Sequence, residues 1–332
     1  MNDLDLIRIV SFAVQHPWAI TPRYLTTVAN ILGRRAAGHR LTRAEIDAQM
    51  PPKRQAPNGG GGVAVIPVYG VIVPRANTLT DISGGISFET LSTQVRSATS
   101  DPNVSAILFD VDSPGGNAAG ATEFAKVVRA ATAKKRTVAH ANHLMASAAY
   151  WAMCGCSELV ASPSAEVGSI GVLTIHEDLS KAMQMEGVAP TLISAGKYKT
   201  EGNTCEPLSD EAQAFLQQRV NEIYATFVKD VSKGRKVPID DVRSGFGEGR
   251  AVGAQEALSL GMVDRIEDFN DTLSGLLAPP TRNGAAALTA PTEVRDQGHP
   301  SEMLASQDPV DVRFSNDIEH RLLDMRLRDL EL

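Results

Sequence analysis

The sequence predicts an α/β fold, and three observations carry that prediction. Short apolar runs, VAVIPVYGVIV at 63–73, VSAILFDV at 104–111 and TVAHA at 137–141, alternate with stretches of helical pattern. The runs are almost continuously apolar, as parallel strands buried on both faces require, and do not show the in–out alternation of a half-exposed sheet. Glycine-bearing turns such as Asp112-Ser113-Pro114-Gly115-Gly116 stand between the end of a run and the next helical pattern.

Taken in order, residues 1–50 read as a helical segment. Leu6, Ile9 and Val10 give one apolar face and Val28, Ile31 and Leu32 another, with Trp18 packed between them. Thr42 to Glu45 fits a capping box that opens a short helix to Met50. Residues 51–62, PPKRQAPNGGGG, have the composition of a linker. The main domain then runs over 63–277. Helices are expected at 88–98 and 118–133. Further strands are expected at 159–161, 167–175 and 188–194, with a helix at 177–186 between the last two. Ser209 opens a long amphipathic helix to about Val231, whose stripe of Phe215, Ile223, Phe227 and Val231 suits either the core or a subunit interface. Two shorter helices follow between Pro238 and Ile266. Residues 278–332 read as a flexible tail, rich in Ala, Pro, Thr and Gly, with a charged terminal helix from Asp308 to Leu332.

Among 332 residues, 43% are apolar and 21% charged, with a formal net charge of -7, which argues against a nucleic-acid-binding surface. Cys154, Cys156 and Cys205 make no zinc-ligand set and read as reduced thiols of a cytoplasmic protein. The longest apolar run is broken by Pro67 and Gly70, so no membrane span is expected. No fingerprint for a dinucleotide or nucleoside triphosphate follows a strand, and neither cofactor nor metal is expected.

One hydroxyl stands out. Ser147, in LMASAAYWAM, sits between a strand and a helix start, where unpaired backbone N–H groups stabilise negative charge on a substrate oxygen. Serine is also a favoured helix cap, so its position alone decides nothing. The two glycines of DSPGG can turn their N–H groups to a cleft with no side chain in the way, as an oxyanion hole requires, or can simply serve a tight turn. A serine nucleophile needs a base. His140 and His143 lie too close to Ser147 in sequence, which leaves His176, beside Asp178, or a lysine, Lys197 or Lys199 of GKYK. An unperturbed lysine is almost wholly protonated at neutral pH. Lowering its pKa by about 3 units costs about 4 kcal/mol, so a lysine base must be desolvated.

Four ordered runs, ILFDVDSPGG, MASAAYWAM, EVGSIGV and SAGKYKTEGN, resemble the Ser-Lys peptidases of the signal peptide peptidase A family, and most closely its branch of tailed-phage prohead maturation proteases. The resemblance spans about Val63 to Ile266. It implies a Clp protease/crotonase-like fold, with Ser147 as nucleophile and Lys199 as general base. It also implies an oxyanion hole of Gly115, Gly116 and the Ala148 N–H, and Ser169 as the hydroxyl that orients the lysine. Ala148-Ala149 replaces the two glycines common in signal peptide peptidases, a change that falls on the specificity pocket.

The expected function is therefore endoproteolysis of scaffold, portal or coat protein inside an assembling prohead in the host cytoplasm, by a homo-oligomer. The tail from residue 278 is a further candidate substrate. The alternatives are a housekeeping signal peptide peptidase, an inactive assembly module of the same fold, and a crotonase-like acyl-CoA enzyme, which needs no Ser-Lys pair.

Overall fold

The computed structural model describes residues 17–25, 62–75 and 85–278. The expected capping box at 42–45, most of the 51–62 linker and the tail lie outside the described residues.

The body is built on a largely parallel sheet. Its path runs from β10 (Ala251–Gly253) through β9 (Glu166–Gly168), β7 (Arg136–Ala146) and β5 (Ala106–Ser113) to β2 (Val63–Tyr69). At its side β8 (Glu158–Ala161) pairs with β7 and β11 (Arg265–Ile266) with β8. Every pairing is parallel except β9 with β10. Alternate residues of β5 show why the runs had to be apolar. Ile107, Phe109 and Val111 enter the main core, while Ala106 and Leu108 face a smaller cluster that includes Phe269 and Leu273. A strand covered on both sides is apolar on both, and the buried polar residues of β5, Asp110 and Ser113, lie in its second half.

Helices α1 (Phe88–Ser100), α2 (Ala121–Thr132) and α3 (Ala148–Met153) line the main core. α1 begins where Ser87 Oγ accepts from the Thr90 N–H at 3.1 Å, a side-chain cap. A short helix α4 (Ser180–Met185) buries nothing. The long α5 (Asp210–Arg235) is opened by a Ser209 cap, and α6 (Ile239–Gly245), α7 (Ala254–Ser259) and α8 (Phe269–Leu277) complete the described helices of four residues or more with resolved ends.

A second, small sheet has the order β1 (Trp18–Ile20), β6 (Gly115–Asn117), β3 (Ile72–Val73), β4 (Ile86–Ser87). Trp18, expected between two helical faces, opens a buried strand, and the residues of those faces lie outside the described residues. The flanking Pro17 and Pro22 break helical pairing on either side of Trp-Ala-Ile, a signal the apolar spacing concealed. The strand expected over 167–175 stops at Gly168, whose φ of 111° ends the extended run. No strand forms over 188–194. Residues 184–199 are exposed throughout, and an unpaired apolar run has no sheet edge there to join.

Among the described residues, no helix is long and apolar enough to cross a membrane.

Candidate active site

Ser147 is positioned by the end of β7. Leu144, Met145 and Ala146 pair with Glu166, Val167 and Gly168, and the Ser147 N–H donates to Gly168 C=O at 2.7 Å. The backbone then turns through φ 54°, ψ -116°, a conformation L-residues rarely adopt, before α3 begins at Ala148. This geometry argues against a capping role, since the Ser147 side chain caps nothing. Its Oγ instead points toward Gly171 C=O at 3.4 Å, the only hydrogen bond it makes among the described residues. The strained turn is held by packing around small side chains: Ala146, Ala148, Ala149 and Ala152 are all fully buried.

The helix behind the serine is fixed by contacts that the sequence did not single out. Asp230 of α5 accepts from Trp151 Nε1 at 2.9 Å, Thr122 Oγ1 at 2.6 Å and Arg129 at 3.1 Å. Trp151 stacks on Phe227 with ring centroids 4.4 Å apart, and the Tyr150 hydroxyl donates to Met262 C=O at 2.9 Å. Burial pushes the Tyr150 phenol well above its ordinary pKa and the Cys154 thiol up to about 12, so both stay neutral packing groups. The amphipathic stripe of α5 thus divides. Phe227 and Val231 are core, whereas Phe215 is 49% exposed.

The glycine loop lies beside the serine. Gly116 pairs with Ile72 of β3, and a methyl built on it would come within 1.8 Å of the Ile72 carbonyl oxygen, so no side chain fits. Gly115, at φ 98°, has its N–H turned to Ser113 Oγ at 3.2 Å. A methyl on Gly115 would meet Ala19 O at 2.3 Å and Ala148 N at 2.9 Å, which places the glycine strand against the first amide of α3. Ser169 is buried nearby, also at positive φ (52°), with its N–H bonded to Arg250 C=O at 2.7 Å. Its hydroxyl makes no hydrogen bond among the described residues.

The candidate bases separate clearly. His140 is buried between Ser162 Oγ (3.0 Å) and Thr272 Oγ1 (3.2 Å), and burial, helped by Arg265, lowers its pKa to about 4; it is a neutral core residue. His143 stands 3.5 Å from Asp112, and His176 Nε2 donates to Asn203 C=O at 2.9 Å. Lys197 is bound to the Tyr198 hydroxyl (2.7 Å) and Glu211 (3.0 Å), and both hydrogen bonds raise its pKa, the reverse of what a base needs. Lys199 lies on the exposed stretch, and its side chain makes no hydrogen bond or ion pair among the described residues. Gly115 and the Ala148 amide thus meet beside Ser147, the Gly115 N–H being taken by Ser113, and Lys199 makes no hydrogen bond with Ser147 among the described residues.

Residues 129–277, which hold both Ser147 and Lys199, match the family described as Peptidase family S49. The chain carries a peptidase family S49 domain. The chain is 29% identical over 287 residues to capsid assembly protease C of Escherichia phage lambda, covering 81% of the chain and 65% of that protein. It is 28% identical over 286 residues to the head-tail preconnector protein GP5 of Enterobacteria phage P21, covering 81% and 57%. With Protease 4 of Salmonella typhi it shares 30% identity over 217 residues, 65% of the chain and 34% of that protein. The chain thus spans less than two thirds of the length of each of these relatives. Among solved structures, a mutant ClpP1 from Listeria monocytogenes aligns over 63% of the chain and 94% of its own, at 12% identity and a TM-score of 0.40.

Proposed function

We propose that the chain is a serine endopeptidase of phage head assembly, acting on scaffold, portal or coat protein inside the assembling prohead. The observation that carries this reading is a buried serine on a strained turn that caps nothing, set against a two-glycine strand and the Ala148 amide. In the reaction, Lys199 in its neutral form takes the proton of Ser147 Oγ as the oxygen attacks a peptide carbonyl. The N–H groups of Gly116 and Ala148 receive the negative charge that develops on the carbonyl oxygen. The protonated lysine then gives its proton to the departing amine, and water cleaves the acyl-enzyme by the same steps reversed.

The proposed mechanism calls for a surface that covers Lys199, because desolvation is what favours a neutral amine. The same stretch exposes Ile193 (95%), Met185 (72%) and Val188 (51%), apolar surface that a docked substrate or a second copy of the chain would cover, in keeping with a homo-oligomer. The similarity to Protease 4 supports a second reading, a peptidase of signal-peptide type.

The test is to incubate purified wild type, Ser147→Ala and Lys199→Ala with the candidate scaffold, portal and coat proteins and weigh the products. Cleavage by wild type alone supports the reading. Cleavage retained in folded Ser147→Ala, or lost equally in His176→Ala, overturns it.

A further inference from the structure

The strand that pairs with the glycine loop belongs to the chain's own beginning. β1 runs antiparallel to β6, with Trp18 opposite Asn117, Ala19 opposite Gly116 and Ile20 opposite Gly115. The pairing extends past both ends of the strand, because Ala118 N–H donates to Pro17 C=O at 3.2 Å and Thr21 N–H to Pro114 C=O at 3.0 Å. On its other edge, Trp18 and Leu173 exchange both backbone hydrogen bonds, at 2.8 and 2.9 Å. Residues 17–21 therefore lie as an extended peptide between the glycine loop and the loop that carries Gly171, the acceptor of the Ser147 hydroxyl.

Extended peptides bind peptidases and other receptors in this way, through main-chain bonds to an open strand edge, with side-chain pockets providing selectivity. β1 has the right register for such a ligand. The Ala19 carbonyl oxygen and the Ala148 amide nitrogen converge on one point, the position a Gly115 methyl would fill, at 2.3 and 2.9 Å. The hydroxyl that would attack is hidden. With β1 in place Ser147 has no exposed surface, and Trp18, Ala19 and Ile20 are themselves 1%, 0% and 3% exposed. The fit is imperfect where a permanent strand would be optimised, because Thr21 Oγ1 and Asn117 Nδ2 are buried without a hydrogen-bond partner among the described residues.

We infer that β1 is a displaceable, substrate-like strand that shuts the peptidase groove, with Ala19 at the position whose carbonyl faces the Ala148 amide. The inference rests on the serine-peptidase reading of the same site and adds what it binds. The groove takes an extended peptide with a small residue at the Ala19 position, and a substrate enters only as the chain's own segment leaves. An alternative structural role, β1 as a fixed part of the small sheet, makes opposite predictions.

Two readings on the full chain decide between them. The first is hydrogen exchange at residues 115–118 and 171–173, measured in the Ser147→Ala background so that it is independent of catalysis. The second is the rate at which a fluorophosphonate labels Ser147 in the Ser147-intact protein. Ala19→Pro removes the N–H opposite Gly116. It is expected to speed exchange in both stretches, and labelling, by about tenfold or more, with β5 and α2 unchanged. Ala19→Leu, too large for the fully buried site, is expected to do the same and serves if Ala19→Pro loosens the whole body. Unchanged exchange in both variants, or exchange that rises only together with global unfolding in both, overturns the inference. Faster local exchange with no labelling in any variant upholds the strand inference and sinks Ser147 as nucleophile.

Discussion

The serine side and the lysine side of the proposed dyad are built in opposite ways. Ser147 stands on a turn fixed by β7, β9 and α3, every residue of α3 is buried, and Asp230 ties Trp151 to two other elements. Lys199 stands at the end of a stretch that is exposed from residue 184 onward and follows a helix with no buried residue. Strain can be stored only where surrounding packing holds it, so the nucleophile had to be placed by the core. Lys199, the proposed base, is held by no such packing among the described residues.

The largest expected effect tests that contrast directly. Ser147→Ala and Lys199→Ala should each reduce cleavage by about 10³-fold or more, while Lys197→Ala and His176→Ala do far less. Thermal melting should leave Lys199→Ala where wild type is, because that side chain contacts nothing the fold needs. A Lys199→Ala protein that melts well below wild type would mean the stretch is packed after all.

Next in size is the support behind the serine. Asp230→Ala strands the donors of Trp151, Thr122 and Arg129, and should lower stability by about 3 kcal/mol, measured by urea unfolding. Activity at a permissive temperature should fall as well, because α3 loses its brace. A loss of stability without loss of activity would show the serine turn to be held by β7 and β9 alone.

Acid should act on the serine side through His140. Its folded pKa of about 4 lies below the ordinary 6.5, so the neutral form is favoured by folding; the stability is present above pH 6.5 and lost as pH falls toward 4. At pH 5 the loss is about 2 kcal/mol, an order-of-magnitude figure from that shift. Comparing urea midpoints at pH 7 and pH 5 in wild type and His140→Leu checks it, since the variant should lose most of the difference.

The smallest effect belongs to Ser169. If its hydroxyl holds the neutral Lys199 amine through one hydrogen bond, Ser169→Ala should slow cleavage several-fold, equivalent to about 0.5–1.5 kcal/mol. A steady-state rate equal to that of Lys199→Ala, with folding intact, would assign the hydroxyl more than orientation.

Much of this arrangement was legible beforehand. The strands β5 and β7 and the helices α1, α2 and α5 follow from apolar runs and caps, with boundaries shifted by a few residues. DSPGG and MASAAYWAM pointed to the candidate site because both sit where a strand must turn. What stayed hidden depends on partners distant in sequence. Trp18 became a strand because Gly115–Asn117 offered an edge about a hundred residues on, and nothing local says so. Residues 188–194 have strand composition but no neighbour to pair with, and composition alone does not make a strand. Asp230 looked like one more charge on a helix until Trp151 arrived beside it.

The length of α5 keeps the contacts made at its two ends independent. Near its start Glu211 holds Lys197, two residues before Lys199, and near its end Asp230 holds Trp151, four residues after Ser147. Nineteen residues of helix separate those two anchors, which at 1.5 Å per residue is about 28 Å along the axis. One helix therefore anchors the exposed stretch and the support behind Ser147 at separate points, so that losing the Glu211 contact frees Lys197 and leaves the Asp230 brace on Trp151 intact.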